Sequence, residues 1–129
     1  MRNIVVAVLL LVAGNATACQ CGALSLSQRI AEAHLIVVAK VSSFKPLDHV
    51  TVVPVEVFKG SPSKALTIRT GLSDCDYFLP PVDPKIGEEY LLYLRRSEGR
   101  LTASRCLVPG RIEEKASELR ALRKRSPGA

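Results

Sequence analysis

The feature that most constrains this chain is Cys19-Gln20-Cys21, two cysteines one residue apart, with Cys75 and Cys106 as the remaining cysteines of the sequence. All four stand behind a stretch that reads as an export signal, and an even count in an exported chain predicts two disulfides. Three pairings exist. Cys19 with Cys21 is sterically poor, so each N-terminal cysteine is expected to reach a distant partner, and the choice between Cys75 and Cys106 stays open. On the chain-entropy model, closures this long each stabilise by about 4 to 5 kcal/mol. The rival reading is a four-cysteine zinc site, against which the lone Cys75 and Cys106 lack paired C-x-x-C spacing.

Residues 1–18 carry one charge at Arg2, an apolar run from Ile4 to Ala13, and a small-residue exit at Ala16-Thr17-Ala18. This is the pattern of a signal peptide with an A-x-A cleavage site. The run is too short to span a bilayer, which takes about 20 apolar residues, and no later stretch is expected to span one. Cleavage after Ala18 would place a free α-amine on Cys19. The alternative is a lipoprotein acylated at Cys19, although Ala16-Thr17-Ala18-Cys19 lacks the usual leucine three residues before the cysteine. Localisation is expected to be secreted, extracellular or periplasmic.

Residues 19–110 are read as one domain and 111–129 as a basic helix and tail. Ser25 and Gln28 are spaced as a capping box opening a short helix to about Ala33. His34 to Phe44 is apolar on both faces and predicts a buried strand; His49 to Phe58 predicts a second, with Thr51, Val53, Val55 and Val57 on one face. Pro54 there implies an edge or a bulge. Ala65 to Thr70 is a third strand, and regular structure should lapse from Gly71 to Gly87 around Cys75. Tyr90 to Leu94 and Arg100 to Cys106 form a hairpin about Ser97-Glu98-Gly99, and Pro109-Gly110 then breaks the chain. Ile112, Ala116, Leu119 and Leu122 recur at helical spacing, and Arg123 to Ala129 should fray. Five strands without a βαβ rhythm suggest a mainly β fold, a small closed or partly closed antiparallel barrel, and periodicity alone does not choose between an OB-type barrel and a sandwich.

The net charge of +6 is concentrated late, with six Lys or Arg against three Glu in residues 111–125 and eleven against nine in residues 19–110. A solvated helix explains this, and so does attraction to an anionic surface or sulfated glycan. Nucleic acid is not an expected partner of an exported chain. No residue constellation predicts an enzyme. His34 opens an apolar strand, Asp74, Asp76 and Asp83 suit a turn-rich loop, and disulfide-bonded cysteines are not nucleophiles.

The runs CQCGALSLSQRIAEAHLIVVAKV, VEVFKG, SDCDYF and GEEYLLYLRRSEGRLTASRC, in this order behind a signal, resemble the N-terminal domain of the tissue inhibitors of metalloproteinases. The resemblance covers Cys19 to about Arg111. It implies a netrin-like, OB-like five-stranded barrel with a short N-terminal helix, and the pairings Cys19–Cys75 and Cys21–Cys106. It also implies inhibition of a zinc metalloendopeptidase, with no cofactor of the chain's own. The Cys19 amine and carbonyl would chelate the partner's catalytic zinc, and Gln20 would enter its S1′ pocket. Cys21, Gly22, Ser73 and Asp74 would complete the contact. The alternative is a netrin-like interaction module that does not inhibit. Relative to the animal members of that family, the chain has Ala31 where a further cysteine would fall. It has a short loop between the first two strands and a basic helix in place of a second subdomain.

Overall fold

The computed structural model describes residues 19–125; the signal reading of residues 1–18 and the last four residues of the tail lie outside them. Ser25 caps α1 (Leu26–Glu32): its hydroxyl accepts from Gln28 N, and the Gln28 side chain accepts from Ser25 N. The expected capping box is therefore formed. The chain then enters β1 (Leu35–Lys45), turns at Pro46–Asp48 into β2 (His49–Lys59), and continues to β3 (Leu66–Arg69). After a long loop come β4 (Glu89–Ser97) and β5 (Arg100–Ala103), a 3-10 turn at Arg105–Leu107, β6 (Gly110–Arg111), a second 3-10 turn at Ile112–Glu114, and α2 (Ala116–Arg125).

The strands run β1-β2-β3-β5-β4 and close through a β1–β4 pairing, giving a five-stranded OB-like barrel. All pairs are antiparallel except β3 with β5, which meet in parallel at Ile68 and Leu101. The barrel is thus mixed, where strand order alone suggested antiparallel. A barrel of so few strands must curl tightly, and β1 does so through three register shifts against β2. One lies beside the Ala39–Pro54 pair, where Pro54 contributes no donor.

Because strand side chains alternate, the β1–β4 register divides the apolar residues into two cores. Leu35, Val37 and Ala39 oppose Leu94, Leu92 and Tyr90 inside the barrel, while Ile36 and Val38 oppose Tyr93 and Leu91 outside it. The outer set is covered by Leu107 of the first 3-10 turn and by Leu119 and Leu122 of α2. This is why β1 is apolar on both faces. On β2 the inward residues are Val50 and Val52, so Val53, Val55 and Val57 remain 43%, 57% and 44% exposed.

Three boundaries differ from those read along the sequence. β5 stops at Ala103, because Ser104 caps the 3-10 turn that carries Cys106 and its hydroxyl accepts from Cys106 N. Gly110 does not end the sheet but pairs with Leu91. The final helix starts at Ala116, which is exposed, with Ile112 in a separate 3-10 turn, and it continues through Arg125 instead of fraying at Arg123.

A polar cluster fixes α2 to the barrel. Arg29 of α1 donates to Leu107 O at 3.2 Å, pairs with Glu118 of α2, and lies 5.1 Å from the Tyr93 ring centroid. Lys115 sits 3.3 Å from the other Glu118 oxygen. Removing Glu118 would leave two nearly buried cations facing each other. Glu118→Ala should therefore cost about 3 kcal/mol or more, whereas Arg123→Ala, which breaks the solvent-exposed pair with Glu56, should change stability far less. Urea unfolding of the oxidised protein measures both.

All three tyrosines have raised phenol pKa values. Burial, reinforced by the Glu88 carboxylate, pushes Tyr90 to about 12; burial, then Glu118, raises Tyr93, and burial, then Glu114, raises Tyr77. The unfolded phenols ionise near pH 10, so their contribution is complete below that pH and is lost as pH rises from about 10 towards 12. Phenolate absorbance should consequently appear together with loss of the sheet circular dichroism. Phenolate formation at pH 10 in a fully folded chain would contradict this.

Candidate functional site

The site is built from two segments with no helix or strand of their own. Residues 19–25 precede α1 in irregular conformation, and residues 70–76 follow β3. The disulfides are Cys19–Cys75 and Cys21–Cys106, with Cα separations of 4.9 and 5.0 Å, and there is no free cysteine among the described residues. This is the pairing the resemblance implied. The zinc-site reading of the four cysteines does not apply to this oxidised state, because disulfide sulfurs are not thiolate ligands.

The bonds draw Cys19-Gln20-Cys21-Gly22 against Ser73-Asp74-Cys75. Gln20, Cys21, Gly22, Ser73 and Asp74 are exposed, and Cys19, Cys75 and Cys106 are half-buried. All eight residues singled out in the sequence therefore gather at one end of the molecule. The two disulfides touch: Cys19 Sγ lies 3.6 Å from Cys21 Sγ and 3.6 Å from Cys106 Sγ. A backbone tripeptide tied at both its first and third residues has little freedom left, and Gln20 is held between the ties.

The second segment is held from below by Asp76, which is buried. Its Oδ2 accepts from Leu72 N at 2.8 Å and Ser73 N at 3.3 Å, and the Ser73 hydroxyl accepts from Cys75 N at 3.1 Å. Asp76 thus serves the conformational role expected of aspartate in this loop. Gly71 makes the approach to it: its φ is +76°, and a Cβ there would lie 2.7 Å from Leu47 O in the β1–β2 turn. Arg105 ties the segment to the turn that carries Cys106, donating from its backbone N to Cys75 O at 2.7 Å and from Nε to Asp76 O at 3.3 Å. Sequence reasoning did not single out Arg105 or Ser104. Their signal, adjacency to Cys106, is legible only once the pairing is known.

No protein-family model matches this chain, and no curated protein matches it. The site is therefore read from its geometry. The two histidines lie in other roles: His34 Nδ1 accepts from Arg96 N at 2.8 Å, and His49 hydrogen-bonds Asp48 at 3.0 Å, which with nearby cations holds the Asp48 carboxyl below its ordinary value. In the basic helix, Arg123 binds Glu56 and Arg125 donates to the Ser27 hydroxyl, while Arg120 and Lys124 are exposed. Among the described residues no helix is long and apolar enough to cross a membrane.

Asp76→Ala removes the acceptor of two backbone N–H groups and should lower stability by about 2 kcal/mol. The expected signature is local: Leu72 and Ser73 amides lose hydrogen-exchange protection while the β1 and β4 amides keep theirs. Asp76→Asn, which retains an oxygen acceptor, should recover part of both losses.

Proposed function

We propose that this chain is a secreted inhibitor of zinc metalloendopeptidases, acting through the α-amine and carbonyl of Cys19 once residues 1–18 are removed. The observation that carries the reading is the double tie, which fixes a half-buried Cys19 and an exposed Gln20 and Cys21 beside Ser73 and Asp74. Chelation needs a neutral amine, and an α-amine with a pKa of about 7.7 to 8.0 is partly neutral near pH 7. Its nitrogen and the Cys19 carbonyl oxygen form a five-membered ring on a metal. A catalytic zinc keeps one position open for water; the chelate takes that position and removes the nucleophile. Gln20 follows directly and enters the S1′ pocket, with Gly22, Ser73 and Asp74 widening the contact. Rigidity contributes by lowering the entropy lost on binding.

A second reading is favoured by the exposed Val53, Val55 and Val57 of β2: an interaction module that binds through the barrel surface, free or lipid-anchored at Cys19. The two readings separate at the amine. A refolded, oxidised protein beginning at Cys19 should inhibit a responsive zinc endopeptidase at least about 100-fold more tightly than one carrying a single alanine ahead of Cys19, about 2.8 kcal/mol. Equal inhibition by both would sink the chelate and leave the barrel surface.

The pH profile adds an independent check. A protonated amine cannot bind zinc, so the apparent inhibition constant, corrected for the protease's own profile, should rise up to tenfold per unit as pH falls below about 7.7. A flat profile between pH about 5.5 and 7.5 would be inconsistent with an amine ligand.

A further inference from the structure

The two disulfides are packed sulfur against sulfur, and three of their four sulfurs are gathered at the spacing of metal ligands. Cys19 Sγ is 3.6 Å from Cys21 Sγ and 3.6 Å from Cys106 Sγ, and the sulfurs of Cys19, Cys75 and Cys106 all lie within 4.8 Å of one another. With zinc–sulfur bonds of about 2.3 Å, a tetrahedral four-thiolate site has sulfur–sulfur edges of about 3.8 Å. Two of the contacts between the disulfides already match that edge. The bonded pairs have to open, from an ordinary disulfide length of about 2.05 Å to about 3.8 Å, and Cys21, the one cysteine outside the group of three, has to close on Cys75.

We propose that the reduced chain binds one Zn²⁺ through the thiolates of Cys19, Cys21, Cys75 and Cys106, so that the disulfide-held segment has a second, metal-bound state. The backbone suits such a change. Cys75 and Cys106 stand on a fixed frame, joined by the Arg105 N to Cys75 O bond of 2.7 Å and by the Ser104 cap on Cys106. Cys19 and Cys21 stand on one irregular segment that can shift by the remaining distance. Three of the sulfurs belong to half-buried residues and Cys21 is exposed, so a reductant and a metal can both reach them. Neither hydrophobic core contains a cysteine, so opening the disulfides removes no side chain from either.

The chemistry balances with a dithiol as reductant. Each disulfide accepts two electrons and two protons, and the dithiol closes to its own disulfide. Zn²⁺ then displaces four thiol protons to solvent without changing oxidation state. Four protein ligands leave no open position, so the site is structural and not catalytic. This inference is independent of the inhibitory reading. The inhibitory reading concerns the oxidised chain, and the metal-bound state the reduced one.

The test uses the full chain, oxidised, and the same chain reduced anaerobically with a phosphine, which goes to its oxide with oxygen from water. Each is titrated with Co²⁺ and then Zn²⁺. The reduced chain should take up one equivalent of Co²⁺ with intense thiolate charge-transfer bands and tetrahedral d–d bands, and one equivalent of Zn²⁺ should displace it. The oxidised chain should take up none. Cys19→Ser, Cys21→Ser, Cys75→Ser and Cys106→Ser should each weaken binding by at least about 100-fold, at or beyond the upper end of outer-shell changes. An octahedral cobalt spectrum, undiminished affinity in Cys75→Ser, or no uptake by a reduced chain that keeps its sheet signal would overturn the proposal. If the reduced chain loses its far-ultraviolet sheet signal, one equivalent of Zn²⁺ should restore it, and failure to restore it overturns the proposal equally.

Discussion

The register of β1 against β4 is the constraint on which the rest of this structure depends. It is the pairing that closes the barrel, and it assigns every apolar side chain of two strands to one of two sides. A slip of one residue would send Leu92 and Tyr90 outward and Tyr93 and Leu91 inward. The inner set would then face β2 and β3 with the wrong shapes, and α2 would lose the surface against which Leu119 and Leu122 pack. The Arg29–Glu118–Lys115 cluster belongs to the same arrangement, since it forms only where α1 and α2 meet over Tyr93.

The candidate site uses this barrel as an anchor and adds its own constraints. β5 ends in the turn that presents Cys106, and β3 ends in the loop that presents Cys75, so two strands paired in parallel deliver the two receiving cysteines to the same end. Arg105 and Asp76 then set the distance between them. Against that frame, the C-x-C spacing of the N-terminal segment matches two neighbouring attachment points. The exposed surface that results carries Gln20, Gly22, Ser73 and Asp74, with the apolar side chain of Leu72 beside them.

Much of this was legible in the sequence where local chemistry decides. The Ser25 and Gln28 capping box depends on residues three apart and formed as expected. The two-sided apolar character of β1 told correctly of burial on both faces, although it could not say what lay on the outer one. The errors fell where a tertiary partner overrides a local signal. Cys106 sits in a 3-10 turn instead of a strand because Ser104 caps it, and Gly110 pairs with β4 because Leu91 is there to receive it. Pro54 marked a bulge correctly, since a missing donor is a local property with a sheet-wide effect.

By itself the sequence determined that four cysteines follow an apolar leader, that two of them share one short segment, and that five strands alternate with turns, an order that suits a small barrel or a sandwich. These are properties of spacing and periodicity, which a chain carries before it folds. Only the tertiary structure decided which cysteine meets which, that the barrel closes through one parallel pair, and that Val53, Val55 and Val57 face outward while Val50 and Val52 face in. The physical reason is the same in each case: pairing, closure and facing depend on distances between residues far apart in the chain, and those distances exist only after the β1–β4 register has been chosen.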